Sequence, residues 1–118
     1  MRKIFAILAA LALAGCANAV KHSGVNLTPY DQNTDYGIEA RADGFAISIY
    51  YARYQFIPES NAVAIACKQA LTSIAHEQAE KQGRKIEPID EQTIRLSMGR
   101  NGLSGITSCS AYAPAKWK

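Results

Sequence analysis

His76 and Glu80 stand four positions apart, the spacing that brings two metal ligands onto one face of a helix. The surrounding pattern argues against a metal centre. At about 100° per residue, His76 falls nearly opposite the apolar stripe of Val63, Cys67 and Ile74 and so faces solvent. No further His or Cys is placed to complete a coordination sphere, and His22 stands alone. Hydroxyls are supplied by Ser48, Ser60, Ser73, Ser97, Ser104, Ser108 and Ser110, but none lies in a Gly-x-Ser-x-Gly elbow. A hydrolytic triad also needs a positioned histidine, and the one histidine near the serines is on the outer helix face. Asp90 and Glu91 are adjacent, and neighbours on an extended segment point apart, so they make a weak carboxylate pair. Gly99-Arg100-Asn101-Gly102, with Gly105 beyond, is rich in glycine, but a phosphate-binding loop must open a helix and this one joins two predicted strands. It reads as a turn. No catalytic residue, metal or cofactor is expected.

Cysteine chemistry is better defined. Met1-Arg2-Lys3 is a short positive segment, and Ile4 to Leu13 is an unbroken apolar run. That run is half the roughly twenty residues a bilayer-spanning helix needs, and a positive start followed by a short apolar stretch reads as a secretory signal. The signal ends in Leu13-Ala14-Gly15-Cys16: an aliphatic residue, two small ones, and a thiol. This ending resembles the lipobox of bacterial lipoproteins. The resemblance covers residues 1–16 only. It implies cleavage before Cys16, a thioether-linked diacylglyceryl group on its sulfur, and an acyl chain such as palmitate on the new amino group. Two or more chains give the stable anchoring that one cannot. In such lipoproteins an Asp after the cysteine favours the inner membrane; here Ala17 follows, which implies the outer membrane, facing the periplasm.

Export makes the other two cysteines informative. Cys67 and Cys109 are an even pair in an oxidising compartment, so a disulfide between them is expected. The spacing is not Cys-x-x-Cys, and the bond reads as structural. Removing residues 1–15 leaves 103, enough for one domain with a modest core. The chain has 13 basic and 10 acidic side chains, and the signal takes two of the basic ones, so the mature domain is nearly neutral. Without a basic cluster there is no case for nucleic-acid binding.

The elements that must hold these groups follow from periodicity. Residues 16–35 are rich in Asn, Asp, Ser and Thr without sustained periodicity, and read as a tether reaching roughly 25 Å. The domain then spans 36–118. Tyr36, Ile38, Ala40 and Ala42 alternate with polar residues or glycine as a first strand, and Asp43-Gly44 suits a tight hairpin. Phe45 to Ile57 is a long strand with Phe45, Ile47, Ile49 and Tyr51 on the core face, stopped by Pro58. Ser60 or Asn61 is the expected N-cap of a helix over 61–82 whose stripe is Val63, Cys67, Ala70, Leu71 and Ile74, with Gly83 as its stop. Residues 85–91 connect. Ile94, Leu96 and Met98 mark a third strand, Asn101-Gly102 a second tight turn, and a fourth strand runs over about 104–112, with Thr107, Cys109 and Ala111 facing the helix. The fold class predicted is α+β: an antiparallel sheet of about four strands, hairpin-helix-hairpin, with one helix on one face.

That arrangement leaves one face of the long strand open. Tyr50, Tyr54 and Phe56 lie on it, and Arg41 and Arg95 approach from neighbouring strands. Tyr and Arg are enriched where proteins bind one another, whereas cross-strand packing also uses such pairs. Tyr50, Tyr54, Phe56 and Arg95 are the candidate binding surface. The C-terminal Ala113-Pro-Ala-Lys-Trp-Lys118 leaves docking, fraying and headgroup contact open. The function expected is a non-enzymatic interaction module on the membrane with an envelope protein as partner. The alternative is a periplasmic inhibitor or small-ligand module acting through a pocket or through the Gly99–Gly102 turn.

Overall fold

The computed structural model describes residues 26–55, 57 and 59–118. The segment 1–15 expected to be a signal, Cys16 expected to carry the lipid, His22, Phe56 and Pro58 lie outside the described residues. Among the described residues, five strands and one helix follow in the order β1 (Thr28–Pro29), β2 (Thr34–Arg41), β3 (Gly44–Tyr54), α1 (Ser60–Lys81), β4 (Arg95–Asn101) and β5 (Ile106–Lys116), with a 3-10 turn at Glu91–Thr93. All pair antiparallel, in the sheet order β1-β2-β3-β5-β4. The helix leaves β3, crosses one face and delivers the chain to the far edge strand β4. The next strand, β5, then fills the gap between β3 and β4. The α+β class, with one helix on an antiparallel sheet, is as the periodicity predicts.

One face of the sheet and one stripe of the helix make the core. Phe45, Ile47 and Ile49 of β3 and Thr107, Cys109, Ala111, Ala113 and Ala115 of β5 are buried beneath Val63, Cys67, Leu71, Ile74, Ala75 and Ala79. Ala70 and Tyr51 pack at its margin. The alanines of β5 are small because the helix lies directly over them, and closeness to the sheet is what lets Cys67 reach Cys109 with Cα atoms 6.3 Å apart. The expected disulfide is present.

Several boundaries move, each for a local reason. Within the tether expected over 16–35, Thr28–Pro29 is a strand and β2 opens at Thr34, while residues 16–25 lie outside the described residues. Thr28 and Pro29 pair with Tyr36 and Asp35, Tyr30 meets Tyr36 edge-on at 6.1 Å, and the Tyr30 hydroxyl donates to Glu77 Oε2 at 2.7 Å. These are single aromatic anchors, which carry no periodicity. The long strand ends at Tyr54 rather than 57. Gln55 is buried, and its side chain bridges forward: Nε2 donates to the Glu59 carbonyl at 3.3 Å and Oε1 accepts from the Glu59 N–H at 3.2 Å. That clasp replaces the capping expected of Ser60 or Asn61, since the N-cap is Glu59 and no side chain caps there. The helix stop is as expected. Gly83 has φ +69°, Gly83 N–H donates to the Glu80 carbonyl and Arg84 N–H to the Ala79 carbonyl, the paired bonds of a Schellman ending.

Both tight turns shift along the chain. The first is Ala42-Asp43, because Arg41 pairs with Gly44, the opening residue of β3. In the second, residues 99–101 belong to β4 and the turn is Gly102 to Gly105, because Asn101 pairs with Ile106. Asn101 Oδ1 accepts from the Leu103 and Ser104 N–H groups at 3.0 and 3.3 Å, and Gly105 takes φ +72°. The last strand runs on to Lys116 through Pro114. Since β4 begins at Arg95, opposite Tyr112, β5 has lost one neighbour at Pro114, where a residue without N–H is tolerated. Beyond it Trp117 docks on the body. Its ring meets Phe45 edge-on at 5.3 Å, Arg84 lies 4.1 Å over it, and its N–H donates to the Asp43 carbonyl at 2.9 Å.

Candidate functional site

Strand alternation fixes what the sheet face opposite α1 carries. Cys109 and Ile47 face the helix, so their odd-numbered companions on β3 and β5 do too, and even-numbered residues of both strands face away. On β2 and β4 the parity is reversed by the register. The open face therefore presents Asp35, Gly37, Glu39 and Arg41; Ala46, Ser48, Tyr50, Ala52 and Tyr54; Ser108, Ser110, Tyr112 and Pro114; and Arg95, Ser97 and Gly99. No described element lies across it, and the 3-10 turn borders it only at Thr93. Ala46, Ser48, Ser108 and Ser110 on this face are buried.

The candidate surface named from sequence is divided by the structure. Tyr50 is central and half-buried, paired with Asp35 on one side and Ser110 on the other. Arg95 is exposed on β4, opposite Tyr112 rather than Tyr50, which puts it about 12 Å from Tyr50 by strand and residue spacing. Tyr54 lies at the far end, 64% exposed, with its ring over Gly105. Phe56 is outside the described residues. Tyr50, Tyr54 and Arg95 thus share a face without forming one cluster.

The residue missing from the sequence reading is Tyr112. Its hydroxyl accepts a hydrogen bond from the Arg41 guanidinium at 2.7 Å, and the same nitrogen of Arg41 lies 3.5 Å from Glu39 Oε2. Arg41, Asp43, Ala46, Arg95, Tyr112 and Pro114, with Thr93, surround a depression of about 460 Å³. The signal that finds Tyr112 is parity alone: with Cys109 beneath the helix, a residue three positions on must face the other way. Among the described residues, Arg95 makes no hydrogen bond or ion pair.

The other groups weighed from sequence sit apart from this face. His76 and Glu80 are both exposed on the helix. Asp90 is not on an extended pair with Glu91; it caps the 3-10 turn, its Oδ1 accepting from the Gln92 N–H at 2.9 Å. Cys67 and Cys109 are fully buried in their disulfide. The Tyr30 phenol has its pKa raised chiefly by its hydrogen bond to the Glu77 carboxylate and by that carboxylate's charge.

Comparison with protein-family models, with characterised protein sequences and with solved structures finds no match to this chain.

Proposed function

We propose that this chain is an envelope lipoprotein, cut before Cys16 and acylated there, whose α+β domain is a non-enzymatic contact module for another envelope component. The observation that carries the module reading is the sheet face with Tyr50, Tyr112, Arg41 and Arg95, which no described element covers. A tyrosine offers a large rigid surface with a polar end, and a guanidinium offers five fixed donors; both suit recognition at a surface open to solvent. The anchor reading rests on Leu13-Ala14-Gly15-Cys16 and the short apolar run before it. Ala17 directs it to the outer membrane, facing the periplasm.

The alternative, an inhibitor or ligand module, has one observation in its favour. Leu103 is 89% exposed at the tip of the Gly102–Gly105 turn, the form of a protruding loop that enters another protein's cleft.

The test places a photo-reactive phenylalanine analogue at Tyr50, at Leu103 and, as control, at His76 in the membrane-bound chain. A discrete adduct from Tyr50 alone supports the sheet-face module, and one from Leu103 alone supports the inhibitor form. Adducts from His76 alone, or from none, overturn both. The intact mass of the membrane-extracted chain tests the anchor: an acylated chain beginning at Cys16 supports it, and an unacylated chain refutes it.

A further inference from the structure

We propose that the depression beside Tyr112 recognises a carboxylate attached to a small apolar group, either a free acid or the C-terminal residue of a polypeptide. The inference rests on the reading that the open sheet face is the contact surface, and it names the chemistry that surface would select.

The depression exists because two short side chains meet. Ala46 of β3 is in register with Pro114 of β5, and the longer Arg41 and Tyr112 stand around them. Its volume of about 460 Å³ is in the range of small-ligand sites. Besides the Asp43 carboxylate on its rim, the depression offers donors. Tyr112 accepts from Arg41, so its own O–H proton is left to donate. Arg95, in register with Tyr112, makes no hydrogen bond or ion pair among the described residues, and its planar fork matches a carboxylate in bidentate geometry.

Charge decides between oxyanions. Arg41 is already opposed by Glu39 at 3.5 Å, and Asp43 stands on the rim. Arg95 is the cation there without an ion pair among the described residues, so it can take one carboxylate in bidentate geometry. Glu39 and Asp43 repel either oxyanion, and a dianionic phosphate would meet them with twice the charge of a carboxylate. The apolar part of the ligand follows from the adjoining crevice. Pro114 and Thr93 also wall a second hollow of about 160 Å³ beside Pro88 and Ile89. A carboxylate held by Arg95 and Tyr112 places its substituent over Pro114 and into that hollow.

The test is an amide chemical-shift titration of the full mature chain, labelled with nitrogen-15, in micelles of a non-ionic detergent. The probes are N-acetyl-leucine, hexanoate, N-acetyl-leucinamide and inorganic phosphate. N-acetyl-leucine or hexanoate should give saturable shifts at Arg41, Ala46, Arg95 and Tyr112; tighter binding of the first favours a chain end, of the second a free acid. N-acetyl-leucinamide and phosphate should bind at least about tenfold more weakly, and Arg95→Gln should weaken the acids by about tenfold. Arg95 is an exposed side chain on an edge strand, so the variant should keep the β3 and β5 amide positions. Equal binding of the amide or of phosphate, or full binding by Arg95→Gln, overturns the inference. A Tyr50 adduct in a chain that binds neither acid overturns this inference and leaves the contact-module reading standing. Acid binding without any adduct does the reverse.

Discussion

Cys67, in the second turn of the helix, is bonded to Cys109 in β5, the last strand of the sequence, which lies between β3 and β4. The bond therefore ties the helix to a central strand of the sheet it covers. Both residues are fully buried, so the link sits among apolar side chains.

The loop it closes spans 42 positions, and constraining such a loop in the unfolded chain is worth about 4 kcal/mol in the chain-entropy account. A domain of this size has few kcal/mol to spare. Reduction should therefore lower the urea midpoint severely, by about 2 to 4 kcal/mol in unfolding free energy. The check is urea unfolding of the purified chain with and without reductant. An unchanged midpoint would show that the core stands without its staple.

The pattern of apolar residues is enough to read the helix, the helix-facing sides of β3 and β5 and the disulfide, because period and parity act over many residues at once. The turns are misplaced from sequence because Asp43-Gly44 and Asn101-Gly102 look alike as dipeptides. What separates them is a tertiary contact at the first and a local one at the second: Ala115 lies against Gly44, while Asn101 spends its side chain on the turn's own N–H groups. The candidate site is half legible. Alternation puts Tyr50 and Arg95 on the right face, yet their neighbours depend on which strand lies beside which. The insertion of β5 between β3 and β4, which brings Tyr112 next to Arg95 and within reach of Arg41, is not written in any local pattern.

Gly44 and Gly102 give a paired prediction. A Cβ on Gly44 would stand 1.8 Å from the Ala115 carbonyl oxygen, a backbone atom that cannot turn aside. A Cβ on Gly102 would meet nothing within 4 Å. Gly44→Ala should cost at least about 2 kcal/mol, through strand separation at the β3–β5 contact, and Gly102→Ala should stay within about 0.5 kcal/mol of the parent. Denaturant midpoints of the two variants decide it, and similar losses at both positions would contradict the assigned close approach.

Trp117 is the chain's single tryptophan, and it closes the sheet's end against Phe45 beneath Arg84. It is half-buried, so Trp117→Ala should cost about 2 kcal/mol, less than a fully buried aromatic. Its fluorescence reports on the same contact. Arg84→Ala should make the indole more accessible to iodide without unfolding the chain, since a cation over an exposed ring contributes about 0.5 to 1 kcal/mol. Quenching that is the same in parent and variant would place Arg84 elsewhere in solution.

Tyr30 holds the N-terminal segment to the helix through a proton, which makes that hold sensitive to alkali. The phenol donates to Glu77 Oε2 at 2.7 Å, and its pKa is raised first by that bond, then by the Glu77 charge, then by partial burial and by Asp31. The neutral form is the one stabilised. Its contribution is therefore complete below the unfolded value near 10 and is lost as pH climbs through the higher folded value. The Tyr30 N–H, bonded to the Thr34 carbonyl at 2.8 Å, sits in the segment so fastened. Tyr30→Phe should remove one late-titrating phenol from the ultraviolet absorbance titration. The same variant should lower hydrogen-exchange protection at residues 28–31 at neutral pH, leaving β3 and β5 unchanged. If protection at those residues is the same in the variant as in the parent, Tyr36 packing alone fastens the segment, and the bond to Glu77 is incidental.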